Sequence, residues 1–375
     1  MHLLAAINNN VDEWEALQHY DKNKPRLPLP YAFGGAFLKA GHTLSAIDLY
    51  SKADKKQISP FKSLYYKNEL GNALKSVDVA ALWGGDALKA ILKQSIMPKT
   101  KNNILYFTYV FAPKEASMKH KLHDLAIKIL AGPAKGIVLM TAEQQLAAQE
   151  LFDDSLPVIR LRCGIDSAFY REESSFADIP EAHRAIVEEL LKEPYVIMPG
   201  DELRYNDDAV TFVEKSGIRL VRVSQYAAKS GTENLKQDVI ERKLSDRLFV
   251  FEKISYSFLR FLFQHACAYA GLVDSSWQPS GWTVVCEALS SGLPTVLYEG
   301  IVSRELQNIN VPEDLVQIVP VGDIDLYSER LDEMVRLNLS SNLSSKAASF
   351  ASEHLDFHQT APDFVNQIEK LVGNI

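Results

Sequence analysis

The feature that most constrains this chain is an alternation, repeated along its length, of short apolar runs with longer amphipathic segments. Met1 to Ile7 (MHLLAAI) and Thr43 to Tyr50 (TLSAIDLY) are apolar runs of strand length, and Pro30 to Ala40, closed by Gly41, has helical character between them. Ser76 to Trp83, Asn103 to Val110 and Gly136 to Met140 continue the strands. An amphipathic helix is expected over Lys119 to Leu130 and another from Thr141, whose hydroxyl is placed to cap it. Strands that alternate with helices in this way predict a parallel sheet covered on both faces.

A second cycle follows the charged, helix-prone stretch Arg171 to Glu193. Its strands are expected at Tyr195 to Met198, Arg219 to Val223, Leu248 to Phe251, Ala270 to Val273, Thr295 to Tyr298 and Gln317 to Val319. Helices are expected over Asp207 to Ser216, from Ser255, from Gly281, and as a last amphipathic segment from Thr360 to Val372. A chain of 375 residues is too long for one ordinary core. The expected fold class is therefore α/β, with two doubly wound Rossmann-like domains and no internal repeat. Such sheets bind ligands outside the carboxyl ends of their strands, so the site is expected between the domains.

Composition narrows the setting. The apolar stretch Leu248 to Ala270 is broken by Glu252, Lys253, Arg260 and His265, so it does not offer the roughly 20 apolar residues of a membrane span. The N-terminus lacks a basic leader and reads as a first strand, which implies a cytoplasmic protein. Cys163, Cys267 and Cys286 are too few and too scattered for a disulfide framework or a zinc site. The net charge of -8 hides an asymmetry: through Cys163 there are 21 Lys and Arg against 15 Asp and Glu, and afterwards 19 against 33. A basic first half fits either a solvated surface or peripheral contact with an acidic membrane; no nucleic-acid partner is expected.

The most informative segment is Trp277 to Gly300, WQPSGWTVVCEALSSGLPTVLYEG. A turn-forming stretch ending in Ser280 and Gly281 opens a helix whose first turn, with Trp282 and Thr283, presents unpaired N–H groups suited to a phosphate. Glu287 stands six residues beyond Gly281 among apolar and small neighbours. A carboxylate there must accept hydrogen bonds, and two readings fit: ribose hydroxyls supply them, or the protein does.

EALSSGLPTV resembles the "EA-x-x-x-G-x-PV" signature of retaining GT-B glycosyltransferases, particularly family four. Val158 to Tyr170 (VIRLRCGIDSAFY) is similar to the segment that ends the first domain in that family, with Gly164, Asp166 and Phe169 matching. Gly136 to Glu143, Phe258 to Ala270, and Gly34, Gly35, Gly41 and His42 resemble further family segments in family order. The resemblance implies that Glu287 binds the donor ribose, with Ser280, Gly281, Trp282, Thr283 and Gly200 around the donor. Gly34 and Gly35 would form a loop near the donor phosphates and the acceptor, where the missing side chain permits close approach.

The departures from the family are specific. Its first signature glutamate, eight residues before Glu287, is replaced by Pro279. The Arg and Lys that neutralise the leaving diphosphate should follow Gly200, where DELRYNDD offers Arg204 alone. The first-domain histidine is replaced by Tyr109. Asp86, in Trp83-Gly84-Gly85-Asp86, is either an acceptor contact or a plain turn residue. His42 reads as structural, and His120 with His123 as a solvated face. Ser303, Arg304 and Glu305 stay open between a donor-side role and none. Asp153-Asp154 and Asp207-Asp208 lack the DxD pattern of a metal-dependent transferase, so neither metal nor cofactor is expected.

The resulting expectation is a GT-B chain: 1–170 binding the acceptor, 171–350 binding a nucleotide diphosphate sugar of UDP or GDP type, and 351–375 a helix packing back on the first domain. Its activity would be hexosyl transfer with retention to a saccharide, lipid-linked glycan or small molecule, with Arg204, Tyr109 and Asp86 as the catalytic candidates. The alternatives are a catalytically silent GT-B partner protein and a nucleotide-sugar epimerase.

Overall fold

A computed structural model describes residues 1–7, 40–48, 77–83, 103–107, 118–131, 134–153, 155–162, 164–201, 203–224, 231–276, 278–341 and 343–373. The chain divides into two compact units, one comprising 1–25, 29–163 and 357–375 and the other 26–28 and 164–356. It passes from the first to the second between Cys163 and Gly164 and returns between Asp356 and Phe357.

The first unit carries a six-stranded parallel sheet of β1 (His2–Ile7), β2 (Thr43–Asp48), β3 (Val79–Trp83), β4 (Asn103–Phe107), β5 (Gly136–Leu139) and β6 (Val158–Arg160), in the order β2-β1-β3-β4-β5-β6. Two described helices alternate with these strands, α1 (Met118–Ala131) and α2 (Ala142–Phe152). Thr141 caps α2 as its sequence position suggested: its hydroxyl accepts from Gln144 N, and the Gln144 side chain returns a bond to the Thr141 amide. The N-terminal end of the sheet is tied to the chain's last helix, where His42 bridges the Met1 ammonium at 3.2 Å and Glu369 Oε1 at 2.8 Å.

The second unit begins with α3 (Ser167–Arg171) and α4 (Glu181–Leu190) and then builds its own sheet from β7 (Tyr195–Pro199), β8 (Arg219–Ser224), β9 (Leu248–Glu252), β10 (Ala268–Gly271), β11 (Thr295–Tyr298) and β12 (Val316–Val319). The helices between are α5 (Asn206–Ser216), α6 (Thr232–Glu241), α7 (Tyr256–His265), α8 (Trp282–Ser290) and α9 (Ile301–Asn308); α10 (Ile324–Ser340) and α11 (Leu343–His354) follow, and α12 (Phe357–Gly373) returns to the first unit. All neighbours pair parallel in the order β12-β11-β10-β7-β8-β9, so the chain starts in the middle, winds outward one way, and then crosses to wind the other. Every residue of β7, β8, β10 and β11 is buried, which is why β7, β10 and β11 read as largely apolar runs instead of alternating, while β8 carries Arg219, Arg222 and Ser224 into the interior. The core between sheet and helices gathers Val196, Met198, Phe212, Leu220, Val296 and Leu331.

Several strands depart from their expected bounds by a residue or more, and β10 both begins and ends two residues earlier than expected. β10 ends at Gly271 rather than running to Val273, because Val273 forms an antiparallel bridge to Arg204 while Leu272 O accepts from Tyr205 N. The chain thus leaves the parallel ladder two residues early to bind the loop that follows β7. Among the described residues no helix is long and apolar enough to cross a membrane.

Candidate functional site

In a doubly wound sheet the place where winding reverses leaves two loops diverging from neighbouring strands, and ligands bind there. In the second unit that place lies between β7 and β10. The loop after β7 and the segment after β10 are joined there by the Arg204–Val273 bridge and by Asp274 N donating to Leu203 O at 2.8 Å.

Gly200, the residue after β7, has φ +115, a conformation that side-chain-bearing residues rarely adopt. Its space is filled by Arg204: a Cβ on Gly200 would lie 1.9 Å from the Arg204 Nη2. Arg204 is half-buried and its Nε donates to Pro199 O at 3.0 Å. Burial lowers its pKa, and Tyr269 and Asp201 act against that.

A second guanidinium meets this one. Arg222 projects from the middle of β8, fully buried, and donates from Nη1 to the carbonyls of Met198, Gly200 and Val223 and from Nε to Asn206 Oδ1 at 3.2 Å. Its pKa is lowered to about 10, first by burial and then by the like charge of Arg204, with Asp201 and Tyr269 opposing. It remains a cation at neutral pH. The other buried arginines of the unit have carboxylate partners: Arg219 with Glu189 and Glu193, Arg260 with Glu172 and Asp178. Among the described residues Arg222 has no such partner, and its buried Nη2 makes no hydrogen bond.

Tyr269, on β10, is also fully buried, and its hydroxyl has no hydrogen-bond partner among the described residues. Burial raises its pKa; Arg204 and Arg222 pull it down and Glu287 pushes it up, so it sits in the field of all three. The hydroxyl lies 3.8 Å from where a Cβ on Gly281 would be. Gly281, at φ +88, opens α8, and the amides of Gly281, Thr283 and Val284 make no hydrogen bond with described residues. Two guanidinium groups, an orphaned phenol and a helix N-terminus therefore converge on one locus. A buried donor without a partner costs roughly 1–3 kcal/mol, and like charges held together add to that. An anion bearing several oxygens would relieve both.

Glu287 lies deeper along α8, only 3% exposed. Its Oε1 accepts from Tyr170 Oη at 2.8 Å, and burial raises its pKa to about 8 despite that bond. Tyr170 reaches it because α3 packs on α8 and is pinned from behind by α7. Asp166 caps α3 through the amides of Ala168 and Phe169, Gln264 Nε2 donates to the carbonyls of Tyr170 and Glu172, and Arg260 Nη1 donates to Phe169 O. The Tyr170 ring meets Phe169 and Phe263 edge-on.

Of the residues singled out from the sequence, Gly200, Arg204, Ser280, Gly281, Thr283 and Glu287 stand at or along this locus. Ser280 Oγ accepts from Gln278 Nε2 at 2.8 Å. The Trp282 side chain is 2% exposed, and its amide donates to Pro279 O at 3.2 Å. Gly34, Gly35, Asp86 and Tyr109 lie outside the described residues. Asp208 accepts from Tyr298 Oη at 2.7 Å, Asp153 ends α2 in the left-handed conformation, and Ser303 Oγ accepts from the Gly300 amide at 2.9 Å; each has a local structural role. Among the described residues no cluster of His, Cys, Asp and Glu has a metal-binding arrangement. Sequence reasoning missed Arg222, Tyr269 and Tyr170. For Arg222 a signal existed, since a second arginine inside a strand expected to be buried on both faces (RLVRVS) needs a reason to be there.

The fold has clear counterparts among solved structures. The chain has the GT-B fold, the two-Rossmann-unit architecture of many glycosyltransferases. It superposes on Anabaena HepE in complex with UDP-glucose with a TM-score of 0.73 at 13% identity, covering 99% of this chain and 100% of that one. Sucrose-phosphate synthase from Thermosynechococcus elongatus matches with a TM-score of 0.71 at 12% identity over 100% of both chains. The trehalose-6-phosphate synthase OtsA matches at 0.70 and 13% over 98% and 99%. No family model matches the sequence, and no curated protein sequence matches it. At such identities the likeness defines the fold and leaves the reaction to be argued from the site.

Proposed function

We propose that this chain is a glycosyltransferase whose second unit holds a nucleotide diphosphate sugar and passes its hexosyl group to an acceptor carried by the first. The observation that carries the reading is the pair of orphaned buried donors, Arg222 Nη2 and Tyr269 Oη, beside Arg204 and the free amides at the start of α8. A diphosphate supplies oxygens for all of them, and its charge offsets that of Arg222, which no described carboxylate pairs. Neighbours crystallised with UDP and with UDP-glucose favour a UDP donor over GDP for this chain.

In this reading Arg204 and Arg222 do what the Arg and Lys of the resembling family do, from different places in the chain. As the bond from the anomeric carbon to the diphosphate breaks, negative charge gathers on the leaving phosphate oxygen, where the guanidinium groups and the α8 amides stabilise it. The acceptor hydroxyl forms the new bond on the same face and gives its proton to the departing phosphate, which retains configuration. Glu287 takes the donor ribose: the hydroxyls add donors to the one Tyr170 already supplies and draw the carboxyl into its ionised form. The chemistry needs no metal and no cofactor. Gly34 and Gly35 form a loop near the donor phosphates and the acceptor, Asp86 and Tyr109 are the further catalytic candidates, the acceptor is a saccharide, lipid-linked glycan or small molecule, and the protein acts in the cytoplasm.

Titration calorimetry of UDP, GDP, ADP and their glucose conjugates against wild type and Arg222→Met tests the reading. One nucleotide should bind, and losing the guanidinium should weaken it about 10- to 100-fold, the loss of a charged hydrogen bond in a buried site. Absence of binding by every nucleotide, or unchanged affinity in the variant, would overturn it. Slow hydrolysis of the bound conjugate in the absence of acceptor then separates a transferase from a silent binder.

A further inference from the structure

Helix α1 of the first unit turns four large apolar side chains outward. Met118, Leu122, Leu125 and Ile129 are 78%, 63%, 52% and 63% exposed, and their spacing of four, three and four residues places them on one stripe. The opposite side, with Ile127 and Ala131 buried, is the one seated against the unit. A surface helix ordinarily buries its apolar stripe, and an exposed one of this size marks an interaction face. Lys121 and Lys128, both exposed and seven residues apart, run along one flank of the stripe, and exposed Lys135 follows the helix. Within Met118–Ala131 the charged residues are Lys119, Lys121 and Lys128 against Asp124 alone.

The lysine flank decides between occupants. A second copy packed antiparallel on the same stripe by a two-fold axis would set this lysine flank against its own counterpart. An anionic leaflet complements them, and an apolar stripe edged with lysine is the pattern of a helix lying in the plane of a membrane interface. We propose that α1 docks the chain on anionic lipid, with Met118, Leu122, Leu125 and Ile129 entering the boundary between headgroups and acyl chains and Lys121 and Lys128 on the lipid phosphates. The excess of basic residues through Cys163, 21 against 15, has the matching sign.

Flotation of the full chain with phosphatidylcholine vesicles, with and without phosphatidylglycerol, tests this. Wild type should float with the anionic vesicles at low salt and dissociate as salt rises. Lys121→Gln with Lys128→Gln should weaken binding about 25-fold, about fivefold for each lysine removed from an anionic surface. Leu122→Glu with Ile129→Glu should abolish flotation and leave the thermal transition unchanged, since both side chains are more than half exposed. Absence of flotation, or equal binding to neutral vesicles, overturns the proposal. So does a lipid-free dimer, seen by sedimentation, that the Glu pair dissociates, because the face is then a self-interface.

Discussion

Glu287→Gln isolates the strongest electrostatic consequence of the site. In the folded chain the Glu287 carboxyl has its pKa raised from an ordinary 4.5 to about 8, by burial. When the chain unfolds the group returns to the ordinary value, so between these limits the folded state holds a proton that the unfolded state has lost. Stability from this residue is fully present below pH 4.5 and drains away as the pH rises toward 8, at about 1.4 kcal/mol per pH unit. From pH 5.5 to 7.5, both inside the window, the loss is about 2.7 kcal/mol. Glutamine keeps an oxygen to accept from Tyr170 Oη and has no proton to exchange, so the variant escapes this loss while every other titration in the protein is shared. For a unit of this size about 1 kcal/mol shifts the midpoint by roughly 2–4 °C. Calorimetric melts of the second unit should therefore show the variant gaining roughly 5–10 °C on wild type between pH 5.5 and 7.5. Parallel pH profiles for the two proteins would refute the assignment of a buried, protonated Glu287.

Three other perturbations probe neighbouring links. Gly200→Ala should displace the Arg204 guanidinium, which lies 1.9 Å from the new methyl, and strain a φ of +115; nucleotide affinity measured by calorimetry should fall about tenfold, with a stability loss of about 1–3 kcal/mol. Tyr170→Phe removes the one hydrogen bond that the described residues give the Glu287 carboxyl while leaving the ring contacts, and chemical denaturation should show a loss of about 1–3 kcal/mol. If the ribose draws Glu287 into its ionised form, nucleotide binding releases a proton: affinity should fall by up to about tenfold for each pH unit below 8 in wild type and stay flat in Glu287→Gln, as calorimetry in buffers of different ionisation enthalpy would report.

Local pattern was enough to place most elements, because burial on both faces of a parallel sheet leaves a run of apolar residues that period and length identify. The opening of α8 at Gly281, the cap at Thr141 and the reach of β11 follow from neighbouring residues alone. β10 did not, since its end is decided by a bridge to Arg204, a residue far away in sequence. The same division runs through the site. Glu287 announced itself as a carboxylate in apolar company that needed donors, yet nothing local said that Tyr170 would be one of them.

What the sequence determined by itself is the kind of chain this is: two parallel α/β units, a glycine-opened helix with a buried glutamate, and one arginine after β7. Only the tertiary structure decided that Arg222, placed on the next strand, turns its guanidinium to the loop after β7, that Tyr269 meets it from across the winding reversal, and that α1 faces outward with its apolar stripe. Periodicity records which residues are buried, a property each run carries within itself. Which buried residues face one another depends on strand order and register, and those are set by the packing of the whole unit.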